Sequence, residues 1–242
     1  MHAVHYPVIG YRIPGHLVRT LEYVTATSAA PPRQLAPINP IQQLKAGHLP
    51  RRLVQLYAGL SLYGASMGLM IQGNLGLDPW DVFHSGITKH VSLSFGTVVI
   101  AVSFVVLLAW IPLRQWPGLG TISNAIVIGL VTDLTLATVD RPHALWLRIV
   151  FMLSGVVLNA LAGALYIGAQ FGPGPRDGLM TGLVRRTGLS VRLVRTSLEL
   201  TVLATGFLMG GSIGVGTVVY ALSIGPLVHV LLPIFTVRLK QE

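Results

Sequence analysis

The chain contains no cysteine. That excludes a disulfide framework, a thiol nucleophile and any cysteine-ligated metal site. Acid is nearly as scarce: Glu22, Asp78, Asp81, Asp133, Asp140, Asp177, Glu199 and Glu242 make up the whole inventory of 8. Charged residues of both signs reach only 10% of 242 residues, where a soluble domain carries about 25%. Apolar residues take their place, at 52% of the chain and in long runs. This composition describes a helical, polytopic membrane protein.

Catalytic patterns are missing as well. There is no G-x-S-x-G, no H-E-x-x-H and no Walker loop, and the 8 histidines show no paired ligand spacing. The chain is therefore read as a non-enzyme without cofactor or metal. Its net charge of +9 is spread between hydrophobic spans rather than gathered into a basic patch laced with aromatics. Topological bias explains that spread, and nucleic acid is excluded as a partner.

What the chain does have is a repeat. Gly76-Leu77-Asp78-Pro79-Trp80-Asp81 returns as Gly172-Pro173-Gly174-Pro175-Arg176-Asp177, both reading G-x-x-P-x-D. Shifted by 96 residues, the chain aligns with itself without a gap from Arg52/Arg148 to Asp133/His229. About 21 of 82 positions are identical, where roughly a tenth is expected by chance. In each motif the glycine (Gly76, Gly172) releases the backbone and the proline (Pro79, Pro175) suits a first helical position. The aspartate (Asp81, Asp177) falls where first-turn N–H groups are free.

Hydrophobic runs place spans at about 53–73, 95–113 and 119–139, then at 146–170, 192–209 and 213–235. Short segments at 79–91 and 175–187 follow the two motifs. The expected fold is an all-α membrane bundle of about six transmembrane helices in two three-helix repeats, each with a short re-entrant or interfacial helix. Three crossings per repeat is an odd number, so the copies must be inverted relative to each other. The repeats are bounded at 51–140 and 141–237. Residues 1–50, rich in proline, read as a disordered cytoplasmic tail with an optional amphipathic helix around 16–23, and 238–242 as a cytoplasmic C-terminus. The charges agree. With the N-terminus inside, Lys45, Arg51, Arg52, Arg114, Arg176, Arg185, Arg186, Arg192, Arg195, Arg238 and Lys240 are cytoplasmic, against Lys89, Arg141 and Arg148 outside.

Six ionisable residues are candidates for a substrate or ion pathway. Asp81 and Asp177 either cap the short helices or face a central cavity as counter-charge for a cation, amine or proton. Asp133 and His229 occupy equivalent places in the third and sixth spans, where they either handle a proton or reach for headgroups. Arg195 and Glu199, four apart on one helix face, form an ion pair or a gate. Tyr63 and Asn159 are also equivalent and could line a cavity or simply pack.

The run Gly73-Asn74-Leu75-Gly76-Leu77-Asp78-Pro79-Trp80-Asp81, with Gly172 to Met180 and Arg185-Arg186-Thr187-Gly188, resembles the YczE/YitT-type bacterial integral membrane proteins. The resemblance covers about 51–235. It implies a multi-pass protein of the bacterial inner membrane, and it supplies no catalytic residue, substrate or cofactor. The expected function is a secondary transporter or exporter of a small molecule. The alternative is a non-transporting scaffold that holds a partner enzyme through its arginine-rich cytoplasmic face. Expected partners are the lipid bilayer, a small-molecule substrate with a coupling proton, and a second copy of the chain.

Overall fold

The computed structural model describes residues 40–239. The expected tail over 1–39, with its optional helix at 16–23, and residues 240–242 lie outside them. Among the described residues there are nine helices and no strand: α1 Pro40–Lys45, α2 Leu49–Gly73, α3 Pro79–Thr88, α4 Phe95–Trp110, α5 Leu119–Thr138, α6 Leu145–Gly168, α7 Pro175–Thr187, α8 Val191–Leu208 and α9 Val215–Phe235. Four of these, α2, α5, α6 and α9, are long and apolar enough to cross a bilayer. Helix α4 is apolar but has 16 residues, which at about 1.5 Å each falls short of the roughly 30 Å hydrocarbon layer. Helix α8 has 18 residues and carries Arg192, Arg195 and Glu199.

Local chemistry sets the helix ends. Pro79 and Pro175 open α3 and α7, and the Ser94 and Ser190 side chains accept from Thr97 N and Leu193 N to cap α4 and α8. The chain leaves α2 and α6 through Gly76 at φ +116° and Gly172 at φ +103°, a backbone region that strains a residue with a Cβ.

The expectation of disorder over 40–50 is corrected. Pro40–Lys45 is helical, α2 begins at Leu49, and Arg52 ties the segment down by donating to Gln43 O at 2.6 Å.

Helices α2 and α6 form the centre and run antiparallel, the start of each beside the end of the other. Arg52 Nε donates to Ala169 O at 2.9 Å and its Nη2 to Gln170 O at 2.8 Å. Its equivalent Arg148 donates from Nε to Gly73 O at 2.9 Å and from Nη2 to Asn74 O at 2.6 Å. Close approach relies on small residues: a Cβ on Gly59 would sit 2.8 Å from Tyr166 N. Helix α5 packs on α2, and α9 on α6. The short helices cross over, α3 packing on α8 of the other half and α7 on α4. At those crossings Gly206 lies against Val82 and Phe83, and Gly178 against Trp110. Position for position, the second crossing exchanges the small partner for the large one.

The duplication is thus visible in backbone detail. The left-handed residues Asn74 and Arg114 recur as Gln170 and Gly210. Gly216 N donates to Leu75 O at 2.7 Å, and Gly120 N to Phe171 O at 2.8 Å.

One joint breaks the likeness. Helices α4 and α5 pack closely where Gly96 meets Gly129, whereas α8 and α9 stand apart. Gly225, the counterpart of Gly129, has nothing within 4 Å of where a Cβ would sit.

Candidate functional site

The two chain breaks bring the starts of α3 and α7 together. Asp78 is the N-cap of α3, its Oδ1 accepting from Asp81 N at 2.9 Å. The capping role expected of Asp81 therefore belongs to the residue three places before it, because a cap must precede the first turn. Asp81 instead meets His84 Nδ1 at 3.1 Å and Arg176 Nη2 at 3.8 Å, while Arg176 Nη1 lies 4.0 Å from Asp78. Asp78, Asp81 and His84 are all buried. The Arg176 guanidinium also lies over the Trp80 ring at 4.9 Å. Buried charges are tolerated when they are paired, and here the Arg176 guanidinium faces both carboxylates, while His84 Nε2 is buried without a hydrogen-bond partner among the described residues. Arg176 is thus no mere topology signal: it touches carboxylates that the sequence had assigned to the opposite side.

Helix α7 starts differently. Gly174 stands where α3 has Asp78 and offers no side-chain cap. Asp177 accepts a hydrogen bond from the Tyr166 hydroxyl.

Around these groups lies a cavity of about 220 Å³. Asp78, Trp80, Arg176 and Asp177 line it from the breaks, Tyr63 from α2, Asn159 and Tyr166 from α6, Arg195 and Glu199 from α8, and Tyr220 from α9. Tyr220 donates to Asn159 Oδ1 and Asn159 Nδ2 to Ser66 Oγ, each at 3.0 Å. Arg195 Nε and Glu199 Oε1 are 2.9 Å apart. Ile224, Gly225 and Val228 of α9 complete the lining, beside the gap between α8 and α9.

Of the sequence candidates, Asp177, Arg195 and Glu199 line the cavity, and Asp81 stands just behind it. Gly76, Pro79, Gly172 and Pro175 shape the breaks that position them. Asp133 lies elsewhere, at the α4–α5 joint, accepting from Ser94 Oγ and from Gly96 N at 2.7 Å. His229 is exposed on α9 and outside the cavity lining. The structure does not bring Asp133 and His229 together.

Sequence reasoning missed His84, Trp80, Tyr166 and Tyr220 as parts of the site. Each comes from an apolar stretch, where an aromatic residue reads as packing. Among the described residues no cluster of three or more His, Asp or Glu is placed to hold a metal ion.

Comparison with known proteins follows the same boundaries. The model of the family of unknown function (DUF6198) matches residues 50–233. An uncharacterized protein of Haemophilus influenzae is 42% identical over 179 residues, covering 74% of this chain and 82% of that one. The uncharacterized membrane protein YczE of Bacillus subtilis is 34% identical over 179 residues, covering 73% and 83%. The uncharacterized protein YyaS of Bacillus subtilis is 28% identical over 185 residues, covering 74% and 92%. No solved structure matches the chain.

Proposed function

We propose, from the premise that this chain belongs to the YczE-type membrane-protein family of unknown function (DUF6198), that it is a secondary carrier of a small molecule. In this reading α4 and α8 also cross, giving six crossings in two inverted repeats within the bacterial inner membrane, both termini cytoplasmic. Helices α3 and α7 are re-entrant. Contact of Arg176 with Asp78 and Asp81 supports this, because interfacial helices on opposite faces would hold those groups about 30 Å apart. Breaks that meet at mid-depth are where inverted-repeat carriers hold their cargo.

The observation that carries the proposal is the unequal pair of joints. One duplicated contact, α4 on α5, is shut by Gly96 against Gly129 and by Asp133 across the start of α4. Its counterpart, α8 on α9, is open beside the cavity. Exchanging the two arrangements would expose the same cavity to the other face, which is alternating access. In the proposed orientation the open joint faces the cytoplasm. Asp133, whose carboxylate closes the shut joint by accepting from Ser94 Oγ and Gly96 N, is the candidate site for a coupling ion. The scaffold alternative draws on exposed Arg185, Arg186 and Arg192, but it gives no role to a polar cavity.

The cysteine-free background supplies the test. Arg192→Cys combined with Gly225→Cys places thiols on either side of the open joint. In membranes the pair should cross-link with time, and linkage should stop exchange. A pair that never links while each single variant stays labelled from the cytoplasm would overturn the carrier.

A further inference from the structure

The charge balance of the cavity shows what it would accept, and here we infer that the cargo is a small organic cation such as an amine. The inference rests on the carrier reading for transport, but binding can be read without it. Both guanidiniums that reach the cavity are already engaged, Arg176 by Asp78 and Asp81 and Arg195 by Glu199. Asp177 is not. Among the described residues no cation lies within 4.0 Å of its carboxylate, and its one partner is the neutral Tyr166 hydroxyl.

A half-buried carboxylate without a counter-ion favours a positively charged partner. The walls suit such a guest. Tyr63 and Tyr166 stand edge to face at 6.1 Å between ring centres, and Tyr220 closes the α9 side. Aromatic faces attract ammonium groups through their quadrupoles. Tyr220 spends its hydroxyl on Asn159, while the Tyr63 hydroxyl makes no hydrogen bond among the described residues and is free for a guest amine. At about 220 Å³ the space is below the usual range for drug-sized ligands, roughly 300–1,000 Å³, and matches a compact guest. At the mouth Glu199 presents acid toward the open joint beside Arg195. An anion would have to strip a carboxylate from one of the arginines; a cation displaces nothing.

The experiment is calorimetric titration of the whole protein in detergent micelles. Tetramethylammonium chloride is the cationic probe and sodium propionate the anionic one, at constant ionic strength. Saturable binding of tetramethylammonium is expected, weakened at least tenfold by Asp177→Asn and unchanged by Asp140→Asn, which removes a charge from an exposed loop. Glu199→Gln, half-buried at the mouth, should weaken it several-fold and guards against misfolding of the first variant. Saturable binding of propionate alone, or of neither probe, would overturn the inference. It would leave the carrier standing, because closure of the Arg192→Cys and Gly225→Cys pair is independent of the guest.

Discussion

The two arginines that sequence reasoning gave to topology, Arg52 and Arg176, each hold partners in the opposite half of the chain. Arg52 is fully buried, donates to four backbone carbonyls, those of Gln43, Gly47, Ala169 and Gln170, and lies 4.2 Å from the centre of the Phe171 ring. Ala169 and Gln170 lie just past the end of α6 and Gln43 in the last turn of α1, where carbonyls have no intrahelical donor. Arg148 performs the equivalent task with a partly exposed side chain, so water can replace it. Arg52→Ala is expected to cost about 3 kcal/mol and Arg148→Ala about 1 kcal/mol, read as the difference in thermal melting in micelles. Lysine should not rescue position 52, because a point charge cannot make the forked contacts. Equal losses at the two sites would refute this assignment.

At the scale of helices, glycine decides which contacts are shut. At the α3–α8 crossing a Cβ on Gly206 would come 2.5 Å from the Phe83 backbone, with no flexible group to yield. Gly206→Ala should therefore lower stability by about 1–3 kcal/mol through forced separation of the pair. Gly225→Leu meets open space here and should leave melting unchanged. In the exchanged arrangement the same leucine would block closure of α8 on α9, so transport should fail in a protein that remains folded. A melting loss at Gly225→Leu would show that the joint is already shut. Apart from α1, the helices were legible in the sequence to within a few residues, because Gly, Pro and Ser sit at their ends. Legible too were the breaks and the Arg195–Glu199 pair, both being local in the chain. The crossing of each short helix to the opposite half was not, since it depends on Gly206 fitting Val82 and Gly178 fitting Trp110, which are far apart in sequence. Tyr63 and Asn159 were legible as a pair because the repeat aligns them, whereas Trp80, Tyr166 and Tyr220 were hidden for the same reason as the crossings.

At the scale of the whole molecule, antiparallel α2 and α6 relate one half to the other. Epitope tags inserted after positions 90 and 188, beyond the ends of α3 and α7, should react from opposite faces of intact cells. Reaction from one face alone would remove the inverted arrangement and with it the exchange of joints.

The copies are not equal where it matters most. Arg192 stands where the first half has Gly96, and His229 where it has Asp133. A machine with identical halves would rest equally on either side, its two states degenerate by symmetry. In the proposed carrier the bulk of Arg192 and the loss of the carboxylate would lift that degeneracy and give the empty protein a preferred resting side. For the proposed carrier, two side chains outside the cavity lining would therefore decide which face the empty cavity opens to, while the gradients alone set the direction of net flux.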